Sequence, residues 1–389
     1  MPSAVEQEIR GLIRQYGRIT FAQFMQICLY SPVGGFYSRR KDWINAHFGT
    51  SPSSHPVFGA LIARQLEQMW RLLGEPAVFH AVEVGSGDGV LAQSIVGYCR
   101  RMTPRFADAL QYVAVDYVPA LSRSPDHIFD WPQSREDWNP AGKATPDSGV
   151  QIVRGEGLGA IRNVSGCILC NELIDNFPVH RFVIQDGRIR EVYVTLEGEN
   201  FTEVLAEPST PRIEERLTSL DVSLPEGHRG EVNLAMEDWA AQLSMALERG
   251  FVLTIDYGDL AAGLYSSQNS GETLYCIGRH IVETDPYRLP GQQDITCHVD
   301  FTSLMRLGEQ HGLNPVGCIQ QSRFLENLGI SSYFRELDKL ELSAARKELN
   351  RIAMMSLVDP EDYGAIRVLA QSKGMVLEVG LMGFGEQEG

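Results

Sequence analysis

The stretch "AVEVGSGDGVLAQSIV" holds the residues best spaced for chemistry: Glu83, Gly85, Gly87, Asp88 and Gly89 sit between an apolar run and an amphipathic one. From the glutamate the turn reads E-x-G-x-G-x-G. A dinucleotide fingerprint needs G-x-G-x-x-G/A, and counting from Gly85 places Val90 where its third small residue belongs. A Walker phosphate loop needs Gly-Lys-Ser/Thr after its glycines, and none follows. What remains is a backbone that can pass close to a ligand, with a carboxylate beside it. That suits a cationic, phosphate-free cofactor, and S-adenosyl-L-methionine fits the description. Asp116 ends the next apolar run, "LQYVAVDY", where an acid accepts hydrogen bonds from ribose hydroxyls in doubly wound sheets.

A second constellation lies in "CILCNELIDNFPV". Asn171 and Glu172 end an apolar strand, the edge at which open α/β sheets bind ligands. Asp175 follows three residues later, and Pro178 limits any helix there to about a turn. Two carboxylates suit a guanidinium, which is planar, permanently charged and matched to carboxylates by bidentate hydrogen bonds. Methyl transfer between a sulfonium and such a cation needs negative charge nearby and a nitrogen fixed at about 3–3.5 Å for in-line attack. In this reading Glu172 orients and polarises the guanidinium, and Asp175 or His298 receives its proton. Helix capping is the structural alternative for both Glu172 and Asp175. Tyr257, after the strand "GFVLTID", either lines the pocket or ends the sheet.

The elements needed to position these residues follow from periodicity. Apolar residues recur at helical spacing through "FGALIARQLEQMWRLL". "AVFHAVEVG", "LQYVAVDY", "GCILCNELI" and "GFVLTIDYG" read as buried strands, with "VLAQSIVGYCRRM" as the helix after the first, so the fold expected is a doubly wound α/β sheet. "FVIQDGRIREVYVTLEGENFTEVLA" has the alternation and Asp-Gly turn of an antiparallel insertion. Residues 259–300 are Gly/Ser-rich and mostly aperiodic, long for a loop and therefore expected to be functional. Helices are expected from about Phe324 to Leu357 and a last strand at "AIRVLAQS".

Composition bounds the remaining choices. The 389 residues allow one elaborated domain or two, and the net charge of −16 opposes nucleic-acid binding, which needs a basic face. Nowhere do about 18 apolar residues run together, and "MPSAVEQEIRGLIRQYGR" is charged throughout, so a cytoplasmic protein without membrane contact is expected. The 7 cysteines lie mostly in apolar runs, which suits buried thiols. "CILC" is the one CxxC and reads as strand rather than a metal site, so no metal is expected.

Several stretches then become recognisable together. "ITFAQFMQICLYSPVGGFYSRR", "VFGALIARQ", "VEVGSGDGVLA", "NELIDNFPVHRF", "LTIDYG" and "DPYRLPGQQDITCHVDFTSL" resemble, in this order, the MidA family of S-adenosylmethionine-dependent methyltransferases, whose members include a mitochondrial complex I assembly factor that methylates a protein arginine. The resemblance implies a class I, Rossmann-like methyltransferase sheet with a final antiparallel strand, a helical N-terminal segment over residues 1–75 acting as a lid, and a main domain over 76–389. Insertions are expected at about 183–250, 259–300 and 323–358. It assigns Glu83, Gly85, Gly87 and Asp116 to the cofactor and Asn171, Glu172 and Asp175 to the active-site edge; Asp88 and Asn171 are expected to join the cofactor site, and Glu172, Asp175 and His298 to be catalytic. The chain also departs from the family: Ala46-His47-Phe48 and Thr50-Ser51-Pro52-Ser53 lack two acidic positions, and "YCIGRH" is less basic than its counterpart. Fewer acids would favour an acceptor with its own carboxylate, such as free L-arginine, which Arg39, Arg279 or His280 would pair with while Tyr257 lines the site. Protein arginine, another small-molecule nitrogen or oxygen, and a non-catalytic assembly factor keeping the fold stay open, as does a homodimer.

Overall fold

The computed structural model describes residues 2–38, 50–116, 150–154, 157–266, 273–278 and 281–385. Seven strands form the central sheet: β1 (Phe79–Val84), β2 (Leu110–Asp116), β3 (Val150–Arg154), β4 (Val164–Asn171), β5 (Leu247–Asp256), β6 (Asn314–Gln320) and β7 (Arg367–Lys373). Their order is β6-β7-β5-β4-β1-β2-β3. All neighbours from β3 to β5 run parallel, whereas β7 runs antiparallel to both β5 and β6. This is the expected α/β class I arrangement, "AIRVLAQS" supplying the antiparallel strand.

Every residue of β1 is buried, including the polar His80 and Glu83, as a strand covered on both faces requires. Gly166 on β4 permits unusually close strand pairing: a Cβ there would lie 2.1 Å from the His80 carbonyl oxygen. The strand order reverses between β1 and β4, which places the ends of these two strands at the switch point where doubly wound sheets bind ligands.

The chain divides into two compact units. The sheet unit comprises residues 49–172, 240–256 and 308–389; the insertion unit comprises 1–48, 173–239 and 257–307. These units cut across the expected division into 1–75 and 76–389. The reason lies in strand pairing, because Ile19–Thr20 near the N-terminus pairs with Arg188–Glu197 of the first insertion. Around that pair, His180–Gln185, Asn200–Ala206 and Arg229–Val232 complete an antiparallel sheet. The insertion unit's core gathers Phe21, Phe24, Leu29 and Phe36 with Val179, Val194 and Ile295. Its helix Phe21–Tyr30 starts at a capping box in which Thr20 and Gln23 satisfy each other's backbone N–H groups.

The 259–300 segment is more regular than its sequence suggests. Its described residues include the strands Tyr275–Gly278, Ile281–Glu283 and Asp294–Thr296, paired antiparallel. Strands of three or four residues are too short to show alternation, which is why the segment reads as aperiodic. The helices expected from about Phe324 to Leu357 are three: Gln321–Asn327, Ile330–Lys339 and Ala344–Ser356.

Candidate active site

The glycine turn joins β1 to the helix Val90–Met102. Gly85, Gly87 and Gly89 all have left-handed φ, at +79°, +52° and +80°. That conformation costs an L-residue roughly 1–2 kcal/mol, so the alternate glycines are a backbone requirement. The Gly85 and Ser86 N–H groups both donate to the Val115 carbonyl, at 2.8 and 3.2 Å, locking the turn onto β2. Among the described residues, a Cβ built on Gly87 or Gly89 would meet no atom within 4 Å.

Glu83 lies behind this turn, buried, and Tyr112 Oη donates to its Oε2 at 2.7 Å. Tyr112 is 1 % exposed; burial and then the neighbouring carboxylate push its phenol well above the usual range, so it acts only as a neutral donor. Sequence reading missed Tyr112, which looks like an ordinary core aromatic in "LQYVAVDY". The signal available was register: Tyr112 pairs with Ala81, two residues before Glu83 and on the same face. Asp88 is exposed and its Oδ1 accepts from Val90 N–H at 3.2 Å, so its carboxylate starts the following helix. Asp116 is the last residue of β2, the strand end expected of it, and its side chain falls outside the described ones.

Asn171 and Glu172 meet at the carboxyl end of β4. Glu172 has φ +51°, and its N–H donates to the Ile255 carbonyl at 2.8 Å, so strand pairing holds the residue in a left-handed conformation. Strain of about 1–3 kcal/mol at a strand end is a signature of functional positions. Glu172 Oε1 accepts from Asn171 Nδ2 and from the Ser51 N–H, each at 3.0 Å. The second bond starts the short helix Ser51–Ser54, so the capping alternative for Glu172 describes part of what it does. Ser51 Oγ in turn donates to Gln321 Oε1 at 3.3 Å. Tyr363 is also close: burial, then the Glu172 charge, raises its hydroxyl to about 12.

Asp175 belongs to the insertion unit, in the single 3₁₀ turn Ile174–Asn176 that precedes Pro178. It is buried, and its Oδ2 accepts from Thr296 Oγ at 2.7 Å, while its carbonyl accepts from Cys297 N–H at 2.9 Å. His298 follows two residues after Thr296; its backbone N–H donates to Thr273 Oγ at 3.1 Å. Its ring is exposed, yet atoms packed around it lower its proton affinity by desolvation, against the pull of Asp259. His298 lines a small pocket in the insertion unit, with Arg216, Glu231, Asn233, Thr273 and Asp300. Tyr257 directly follows β5, and its carbonyl accepts from Val299 N–H at 2.8 Å. Arg39, Arg279 and His280 lie outside the described residues. The cysteines of "CILC" are buried within β4.

A glycine turn after the first strand of a seven-stranded sheet ordered β6-β7-β5-β4-β1-β2-β3, with β7 antiparallel, is the architecture of a class I methyltransferase. The sequence family described as "Putative S-adenosyl-L-methionine-dependent methyltransferase" matches residues 61–319, and the chain belongs to it. The chain is similar to the mitochondrial protein arginine methyltransferase NDUFAF7 homolog of Drosophila melanogaster, 26% identical over 96% of this chain and 86% of the relative. It is also 26% identical to the human protein arginine methyltransferase NDUFAF7, over 90% of this chain and 79% of the relative. Among solved structures, a Burkholderia thailandensis protein bound to S-adenosyl-homocysteine superposes with a TM-score of 0.79 at 25% identity, covering 98% of this chain and 95% of the other. The cofactor read from the glycine spacing and the methyltransferase class implied by the family resemblance both stand.

Proposed function

We propose that the chain transfers a methyl group from S-adenosylmethionine to a guanidino nitrogen of arginine. The observation that supports this most is Glu172, a carboxylate held at the end of β4 by a strained backbone and two hydrogen bonds. S-adenosylmethionine supplies an electrophilic methyl group on a sulfonium. Gly85 and Gly87 let the backbone approach that cofactor, while Glu83, fixed by Tyr112, offers hydrogen-bond acceptance beside it. Glu172, whose Oε1 is fixed by Ser51 N–H and Asn171 Nδ2, is the carboxylate we assign to orient the guanidinium. The proton that the nitrogen gives up goes to Asp175 or His298 in this reading. The relatives named as protein arginine methyltransferases favour a guanidino acceptor.

Free L-arginine or a small guanidino compound is our proposed acceptor alongside protein arginine, because His47 and Ser53 stand where the family resemblance implies acidic residues. Steady-state kinetics on arginine, agmatine and an arginine-containing peptide test this. A clear preference for arginine over agmatine, which has no carboxylate, supports a small acceptor. Turnover on the peptide alone overturns it, and turnover on none of the three overturns the guanidino reading itself. A cytoplasmic location is likewise our proposal, tested by fractionating cells that make the tagged protein.

A further inference from the structure

We propose that Asp294 is a positioning residue of the reaction: it keeps its proton in mildly acidic solution and, as the neutral partner of Asp175, closes a hydrogen-bond circuit with Tyr37 and Asn176 that fixes the Ile174–Asn176 turn. The argument is a count of protons. The Tyr37 hydroxyl lies 2.9 Å from Asn176 Oδ1 and 3.0 Å from Asp294 Oδ2, and both would have to accept from it. One hydroxyl has one proton to give. Asn176 cannot reverse its amide to help, because its Nδ2 already donates to Asp294 Oδ1 at 3.0 Å and to the Ile295 carbonyl at 3.2 Å. A flipped amide would set its oxygen against that carbonyl, which has nothing to donate. With Tyr37 donating to Asn176, its oxygen is left to accept from Asp294, so a protonated Asp294 is the state that makes both contacts hydrogen bonds.

The surroundings agree. Asp294, Asp175 and Asn176 are 4 %, 6 % and 7 % exposed. Burial first, and then the Asp175 charge, raise the Asp294 carboxyl to about 7. Among the described residues, the titratable groups that face the pair are Tyr30 from the helix Phe21–Tyr30, Tyr37, Cys276 from the strand paired with Asp294–Thr296, and Cys297, whose thiol burial also pushes well above its usual range. Tyr37 is pushed well above its usual range by burial and by Asp294, and Cys276 is raised to about 12, chiefly by burial, so neither takes the charge. Arg181, the cation that bears on Cys276, is held by Glu203. The turn is tied further by Tyr30 Oη, which donates to the Asn176 carbonyl at 3.0 Å.

With its proton on Asp294, the pair carries at most one negative charge, and Thr296 donates to Asp175. A second charge in the same enclosure would oppose the first and open the circuit. The functional half of the proposal rests on the reading of Asp175 as an acceptor of the substrate's proton. Because the folded-state value lies above the ordinary carboxyl value, the stabilisation is complete in acid and is lost as the pH rises through neutrality.

The test uses the full chain and the variants Asp294→Asn and Asp294→Ala. Asparagine reproduces the protonated acid, its amide donating to Tyr37 and its oxygen accepting from Asn176. Infrared difference spectra of the cofactor-free protein should show a carboxylic-acid C=O band at pH 6 that D294N lacks. D294N should keep the wild-type melting temperature and cofactor affinity at pH 6, and move the alkaline limb of kcat upward by at least one pH unit; D294A should lose both properties. Absence of the acid band, failure of D294N to fold, or an unmoved alkaline limb overturns the proposal. An acid band in an enzyme that methylates no guanidine would leave the protonation of Asp294 standing and remove the reading of the acceptor.

Discussion

Replacing Glu172 with glutamine separates the charge of this side chain from its shape. Glu172 Oε1 alone accepts the bonds from Ser51 N–H and Asn171 Nδ2, so a glutamine carbonyl in the same place keeps both. A hydrogen bond to a charged acceptor contributes about 1.5–3 kcal/mol and a neutral one about 0.5–1.5, so two weakened bonds cost roughly 2 kcal/mol of stability. That is a fall of a few degrees in melting temperature for a chain of this size. If the carboxylate also balances a cationic transition state, kcat should fall by on the order of 100-fold or more, about 2.7 kcal/mol of barrier. The assay is transfer of labelled methyl to arginine, run beside calorimetric titration of the cofactor and thermal melts. Glu172→Ala is the control: it loses both bonds and leaves alanine at φ +51°, so it should be less stable than the glutamine variant. A folded glutamine variant turning over within about threefold of wild type would refute a role for the charge and leave Glu172 as a helix cap.

Three other outcomes are expected. Tyr112→Phe removes the donor at 2.7 Å from Glu83 and should weaken cofactor binding by about tenfold in calorimetry; unchanged affinity would show that Glu83 needs no such support. Gly87→Val should abolish cofactor binding and, at φ +52°, also lower the melting temperature through backbone strain of roughly 1–2 kcal/mol; binding at wild-type strength would rule out this turn as the site. Gly166→Ala drives a methyl to 2.1 Å from the His80 carbonyl oxygen and should leave the protein in the insoluble fraction; a soluble variant with an unchanged melting temperature would contradict the tight β1–β4 pairing.

The central sheet was legible because buried strands are written as apolar runs, and the last antiparallel strand "AIRVLAQS" is one of them. The strand-end residues were legible too, since Asn171 and Glu172 interrupt such a run at its end. Less visible was anything assembled by pairing between distant segments. Asp294, Asn176 and Tyr37 are polar residues 118 and 257 positions apart along the chain at their hydrogen bonds, and no local pattern links them. Asp294 lies within "PGQQDITCHVDF", a stretch distinctive as a motif, but its chemistry depends on Asn176 and Tyr37. The same holds for Ser51, whose N–H is bound by a residue 121 positions away.

The chain passes between its two compact units after residues 48, 172, 239, 256 and 307. Neither unit can therefore close early on the ribosome. The insertion unit waits for residues 257–307, and β5 lacks one neighbour until β7 has been made. At about 5–20 residues per second, the stretch from β1 to β7 takes roughly 15–60 s to synthesise. For the part of that interval after residue 256, an apolar strand has an open edge, the kind of surface on which unfinished chains pair with one another. A messenger truncated before residue 367 would leave that edge open permanently. Its product should be found with chaperones or in inclusion bodies, although it would still contain the glycine turn and both strand-end residues of the cofactor side.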